Sequence, residues 1–240
     1  MPDLLCMGEP MLELNQRRRP SDAPGGDIPL YLQGHGGDTS NAAIAAARNG
    51  ASVGYITAIG QDAPGDSFME LWAQEGVDTS TVIRSDEAPT GLYVVSHGED
   101  GHRFTYYRAG SAASRMGPAD VPEDAIRGAR MLHVSGISQA ISISACDAVF
   151  RAIEVAKAAG VGVSYDTNLR LALWPKPRAA AVIHAGVAQA DVALPSFDDA
   201  KTLTGLEDPD AIADTYFMIH RQHRSAWTWE VELRPWVESF

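Results

Sequence analysis

The chain is poor in cysteine, poor in cations and free of long apolar runs. Only Cys6 and Cys146 occur among 240 residues, in apolar surroundings and without CxxC spacing, which points to two buried free thiols rather than a disulfide or a metal pair. The 19 Lys and Arg are outnumbered by 31 Asp and Glu, a formal charge of −12, and nucleic-acid binding depends on clustered cations. A phosphate-backbone partner is therefore not expected. The opening MPDLLCMGEP has an acid at Asp3, no basic flank and an apolar run too short for a signal peptide or a membrane span, so a cytoplasmic protein with no membrane partner is expected. No internal repeat, linker or low-complexity tract breaks the chain, and neither G-x-G-x-x-G nor G-x-x-x-x-G-K-[ST] occurs. Dinucleotide and P-loop sites have no sequence support.

What is present is 45% hydrophobic residues, enough for one sizeable globular domain. Short β-rich runs at 4–8, 52–60, 130–136, 160–168 and 190–196 alternate with helix-length segments at 39–49, 64–75, 142–159, 178–188 and 198–204. That alternation predicts an α/β fold, a mostly parallel sheet with helices on both faces. The stretch TGLYVVSHGEDGHRFTYYRAG (90–110) instead holds two strand-like runs around a Gly-Glu-Asp-Gly turn, a hairpin. With 11–16 and 26–34 it predicts a small antiparallel sheet set apart from the main one, a lid.

The segment GHGGDTSNAAIAAARNG (34–50) places Asp38 or Thr39 at a helix N-cap and Gly50 just past the helix end. Capping explains one polar residue. Gly34, Gly36 and Gly37 together equally suit a backbone that approaches an oxygen-rich ligand at a helix N-terminus. On the lid, Tyr106 and Arg108 alternate with Tyr107 and so share a face. A phenol and a guanidinium there suit a hydroxylated, acidic ligand, with Tyr93 on the partner strand, while Tyr107 is expected in the core. Arg170 follows a strand end, where open α/β sheets bind ligands. Alternatively, Asp166 and Arg170 form a local ion pair.

GGDTSN, the small Ala43, Gly50 and Gly60 at their intervals, and then GEPMLEL, TYYRAGSAAS, HVSGIS, DTNLRLALW and LPSFDDAKTLTG in order resemble the ribokinase-like (PfkB) family of sugar kinases over residues 3 to about 215. GGDTSN looks like its 2-keto-3-deoxygluconate branch. Thr39 departs from the signature, which prefers a smaller residue. The resemblance implies a kinase domain over 1–215, with lid strands at about 11–16, 26–34 and 90–108. It further implies that Gly36, Gly37, Asp38 and Asn41 hold sugar hydroxyls, that Tyr93, Tyr106, Arg108 and Arg170 complete the substrate site, and that Asn168, Arg170 and Ser196 lie at the nucleotide. ATP is the expected cofactor, with Mg²⁺ held through phosphates and water. The partner is a small sugar acid, and related kinases pair through their lids as homo-oligomers.

Family members end their chemistry on a D-T-x-G-A-G-D motif, whose last Asp takes the proton of the attacking hydroxyl. No such motif occurs here, so no catalytic residue is assigned and little transfer activity is expected. After about Tyr216 the sequence carries Trp227, Trp229 and Trp236, three of its five tryptophans, and loses the alternation. Residues 216–240 read as an atypical tail, of the kind a shift of reading frame would leave, on a C-terminally truncated kinase. A sugar-acid-binding remnant, or a ribokinase- or fructokinase-type relative, is the alternative. A hydrolase reading rests on Gly136-Ile137-Ser138-Gln139-Ala140, which resembles the G-x-S-x-G elbow, with His184, His220 or His223 as base.

Overall fold

The computed structural model describes residues 1–17, 29–98, 101–208 and 210. The tail expected to be atypical, 216–240, lies outside the described residues, as do His220 and His223. In chain order the elements are β1 (Leu4–Met7), β2 (Met11–Arg17), β3 (Leu30–Gly36), α1 (Asp38–Arg48), β4 (Val53–Gly60), α2 (Ala63–Gln74), β5 (Val82–Ser85), β6 (Gly91–Gly98) and β7 (Gly101–Tyr107). They continue with α3 (Ala112–Arg115), a 3₁₀ turn (Pro118–Asp120), α4 (Glu123–Arg127), β8 (Met131–Ser135), α5 (Gly136–Ala140), α6 (Ile143–Ala158), β9 (Gly162–Asp166), α7 (Lys176–Val187), β10 (Val192–Leu194) and α8 (Phe197–Thr204).

The helices begin and end where local chemistry says they should. Asp62 caps α2 by accepting the Gly65 N–H at 2.8 Å, and Ser142 caps α6 by accepting the Ala145 N–H at 2.9 Å. Each satisfies an amide the first helical turn leaves without a partner. Gly160, at φ 71, ends α6. Within α6, Cys146, Val149, Ala152, Ile153 and Ala156 recur at three- and four-residue steps and are buried, one apolar stripe.

Six parallel strands form the main sheet in the order β10-β9-β8-β1-β4-β5. Side chains alternate between its faces. Leu5, Met7, Ile56 and Ala58 enter one core with Ile126 of α4, Val149 and Ile153 of α6 and Ile183 of α7. Cys6, Val53, Tyr55 and Ile59 enter the other, with Ala43 of α1 and Phe68 and Trp72 of α2. Helices therefore cover both faces. The fully buried Trp72 donates through Nε1 to Ser40 Oγ at 2.9 Å, so its indole contributes a few kcal/mol of burial without an orphaned donor. Both cysteines are free and buried, and burial, then the charge of Asp38, pushes the Cys6 thiol up to about 12.

The second sheet has the order β3-β2-β6-β7. Its outer pairs are antiparallel, as the hairpin pattern predicts, while the central β2 and β6 run parallel because they come from separate excursions of the chain. Gln33 and His35 of β3 pack on α2, with Gln33 Nε2 donating to Ser67 Oγ at 2.8 Å and the His35 ring edge-on to Phe68 at 4.9 Å. Tyr107 is 62% exposed, which corrects its expected core position. The core side of the lid is supplied near its base by Leu12, Leu14 and Leu92 instead. Among the described residues, no helix is long and apolar enough to cross a membrane.

Candidate functional site

β1 lies between β4 and β8, where the strand order reverses, and ligands of open α/β sheets bind outside the carboxyl ends at such a point. Gly8, next after β1, opens that space: a Cβ there would come within 2.6 Å of Ser138 Oγ and would also strike Thr39. Bare backbone lets the starts of α1 and α5 close over the strand end. Thr39, the residue that departs from the family signature, is fully buried with Oγ1 3.0 Å from the Tyr55 hydroxyl.

Of the three glycines before α1, only Gly37 lies in the connection; Gly34 and Gly36 belong to β3. Gly37 is itself the N-cap, at φ 112, and a Cβ on it would stand 2.7 Å from Glu9 O. This corrects the expected cap at Asp38 or Thr39, both of which are already helical. Asp38 is thereby freed for other partners. Its Oδ1 accepts the Thr39 N–H at 2.8 Å, and its Oδ2 accepts from Asn168 Nδ2 at 3.0 Å and from Ser135 Oγ. Asn41, one turn along, donates its backbone N–H to Gly37 O at 2.9 Å and has an exposed side chain.

The lid joins this floor at one point. Gly36 faces the Tyr93 hydroxyl, 2.6 Å from where its Cβ would be, and that hydroxyl donates to Glu13 Oε2 at 2.6 Å. Burial, then Glu13, pushes the Tyr93 phenol up. Tyr93 is paired with Tyr106 across the strands, ring centroids 5.8 Å apart, so the two share a face. Arg108, one residue past β7, forms an ion pair through Nη2 with Glu9, whose other oxygen accepts from Ser111 Oγ. The carboxylate side chain of Glu9 is 1% exposed. Its burial pushes its pKa up against the opposing pull of Arg108 and Ser111. Arg108 Nε is buried without a hydrogen-bond partner.

At the sheet's other side, Asp166 ends β9 and accepts the Asn168 N–H at 3.1 Å. Burial, then the charge of Asp38, raises its pKa. Asn168 has φ 32, the one positive φ outside glycine among the described residues, a conformation that costs energy and is held by its neighbours. Arg170 makes no ion pair with Asp166. Its Nη1 donates to Leu169 O at 2.9 Å and the residue is otherwise exposed. Ser196 caps α8 by accepting the Asp199 N–H at 3.1 Å, while Asp199 Oδ2 accepts from Thr167 Oγ1 at 2.7 Å and ties α8 to the β9 end.

Gly37 and Arg108 thus touch Glu9 with the charge of Asp38 close by, Gly36 and Tyr93 meet beside Glu13, and Asn168 is joined to Asp38. Arg170 follows Asn168 past the end of β9, and Ser196 stands past the end of the neighbouring β10. Glu9, Glu13, Ser111 and Ser135 escaped the sequence reading. An acid directly after a buried strand was a usable signal for Glu9, but its partner lies 99 residues away. The described geometry speaks against the hydrolase reading: Ser138 is 2% exposed and donates to Met7 O at 3.3 Å, and the neighbouring strand's His133 pairs with Ser164. Among the described residues no imidazole, His184 included, reaches Ser138; His220 and His223 lie outside them.

The family model described as pfkB family carbohydrate kinase matches residues 1–227. The chain is 37% identical over 197 residues to the 2-dehydro-3-deoxygluconokinase of Bacillus subtilis strain 168, covering 79% of this chain and 60% of that protein. It is 38% identical over 223 residues to the enzyme of the same name from Thermoproteus tenax, covering 88% and 64%. A fructokinase described as probable, from Arabidopsis thaliana, is 35% identical over 77% of this chain and 57% of its own length. The chain therefore spans about three fifths of the length of these curated relatives. Among solved structures, a PfkB protein from Polaromonas sp. JS666 superposes with a TM-score of 0.83 at 32% identity, covering 91% of this chain and 74% of that one. Fructokinase with bound ATP from Xylella fastidiosa gives 0.78 at 26% identity, covering 91% and 66%.

Proposed function

The chain belongs to the pfkB family of carbohydrate kinases, and we propose that it binds 2-keto-3-deoxygluconate, also called 2-dehydro-3-deoxygluconate, as the acceptor of a phosphoryl group from ATP at its 6-hydroxyl. The observation that carries this reading is the buried pair Glu9 and Arg108 at the base of the lid, beside Asp38. Glu9 fixes the guanidinium at one edge, and the unpartnered Arg108 Nε is a donor that a sugar carboxylate satisfies. Asp38 accepts three hydrogen bonds out of about four that a carboxylate accommodates. The remaining lone pair suits a sugar hydroxyl. Tyr93 and Tyr106 share one face of the lid, which would close over a bound sugar.

The residues present fit part of a nucleotide site. Arg170 is an exposed cation, Asn168 presents a fixed amide, and Ser196 opens α8, all beyond the carboxyl ends of β9 and β10. ATP, with Mg²⁺, supplies the phosphoryl group. Arg170 would offset charge at the phosphates and Asn168 would position them. The sequence holds no D-T-x-G-A-G-D segment, and no side chain of this chain is assigned as general base. The proposal accordingly has the 240-residue chain bind the sugar acid and transfer phosphate little, in the cytoplasm where ATP is at hand. Pairing of two copies through their lids is supported by exposed Leu30, Tyr31, Leu32 and Phe104.

Isothermal titration with 2-keto-3-deoxygluconate, fructose and Mg-ATP tests the reading. Binding of the sugar acid at least tenfold tighter than fructose is expected. Tighter binding of fructose would transfer the assignment to a fructokinase type, and binding of neither sugar would overturn it. Turnover near that of a longer relative would overturn the inactive reading alone.

A further inference from the structure

The tip of the lid carries two imidazoles that the proposed kinase chemistry does not use. His97 of β6 and His102 of β7 are register partners across the hairpin, both exposed, with Nδ1 atoms 2.7 Å apart and ring planes at 86°. Behind them runs a chain of hydrogen bonds. Asn15 Nδ2 donates to Glu13 Oε1 at 3.0 Å, which turns the Asn15 oxygen toward His97 Nε2, also at 3.0 Å. Network chemistry then assigns the tautomer: His97 carries its proton on Nε2, donates it to Asn15, and presents a lone pair on Nδ1.

We propose that His97 and His102 form a two-nitrogen site for a late first-row transition-metal ion, copper(II) or nickel(II) before zinc. A metal ligand must offer a lone pair, and His97 already does. His102 needs only to move its proton from Nδ1 to the solvent-facing Nε2. Copper(II) stands above zinc in affinity for nitrogen ligands, and two nitrogens at about 2.0 Å from a metal in cis positions of a tetragonal sphere are ~2.8 Å apart, against ~3.3 Å for a tetrahedral one. The observed 2.7 Å matches the first. Ligating histidines ordinarily donate their second N–H to a carboxylate or carbonyl that orients the ring and raises its basicity, and the Asn15 and Glu13 pair does so for His97. Arg103, the nearest cation in sequence, pairs with Ser96 in the alternate register and lies on the opposite face. Among the described residues no third His, Cys, Asp or Glu completes a cluster. Both thiols are buried and do not compete.

The test uses the protein without any histidine tag. Titration with copper(II) and with nickel(II) is expected to show one equivalent bound, and electron paramagnetic resonance of the copper form to show two coordinated nitrogens. His97→Gln and His102→Gln should each weaken binding at least tenfold, and Asn15→Leu about tenfold while leaving both ligands in place. Unchanged far-UV circular dichroism shows that the variants remain folded. In the unaltered protein, copper(II) should selectively broaden the imidazole resonances of His97 and His102, a readout that needs no variant. The proposal falls if the His97→Gln/His102→Gln variant binds as tightly as the parent, if neither ion binds, or if the broadening maps to other histidines.

Discussion

The Asn168 side-chain amide donates to Asp38 Oδ2 at 3.0 Å, joining the end of β9 to the first turn of α1 across 130 positions of sequence. Ser135 donates to the same oxygen. Asp38→Asn keeps the shape but sets an amide against two donors. Loss of this hydrogen bonding is expected to cost about 1–2 kcal/mol of stability and to weaken sugar-acid binding at least tenfold. Denaturant unfolding and calorimetric titration read the two effects separately, and unchanged affinity would remove Asp38 from the sugar site.

Arg108→Met strands the Glu9 carboxylate in a site where it is 1% exposed. Breaking one side of a buried pair costs about 3–5 kcal/mol. Burial already raises the Glu9 pKa, so without Arg108 the folded protein holds that proton over a wider range. The variant should lose least stability in mildly acidic buffer and most in alkaline buffer, as pH rises through the raised value. Glu9→Gln/Arg108→Met should recover most of the loss. Equal losses at all pH values would contradict the assignment.

Gly37→Ala adds a Cβ 2.7 Å from Glu9 O and 2.9 Å from Pro10 Cα, both backbone atoms, at φ 112. Neither neighbour can swing aside. A loss of roughly 2–4 kcal/mol is expected from the overlap and the strained backbone together. Gly50→Ala, at φ 90 with open space around it, carries the backbone cost alone, so it should lower the melting temperature less.

Asp166 titrates in the folded protein above its ordinary 3.8, first through burial and then through Asp38. The folded state therefore binds the proton more tightly than the unfolded one. Stability from this group is present below the unfolded value and falls as pH rises through the folded one. Asp166→Asn should flatten that part of the pH profile in denaturant titrations; a profile identical to the parent's would show that the carboxylate is not strained by its surroundings.

The five strands and five helices of the α/β alternation were legible to within about two residues, because local rules set element ends, while the edge strand β5 and the short helices α3, α4 and α5 carried too little pattern to be read. Ser142 and Gly160 bracket α6 whatever the rest of the chain does. The glycines of 34–37 were legible as a place of close approach but not in their division between β3 and the cap, since strand pairing with β2 claims Gly34 and Gly36. Alternation placed Tyr107 opposite Tyr106 but could not say which face is covered, because a lid four strands wide is open on much of both. The network of Glu9 with Arg108, and of Asp38 with Ser135 and Asn168, was illegible for a plainer reason. Each partner sits at the end of a different strand, and only the strand order brings them together.

The parallel ladder between β2 and β6 sets a schedule for synthesis. Tyr93 and Glu13, hydrogen-bonded in the finished lid, are 80 residues apart, so β2 and β3 leave the ribosome long before their partner exists. At roughly 5–20 residues per second, that interval is several seconds. During it the hairpin has one side of β2 unpaired and its apolar base uncovered. The lid is thus the late-forming piece of a nascent chain whose first strand is made almost at once, and the seconds before β6 arrives are when chaperone capture has its opening.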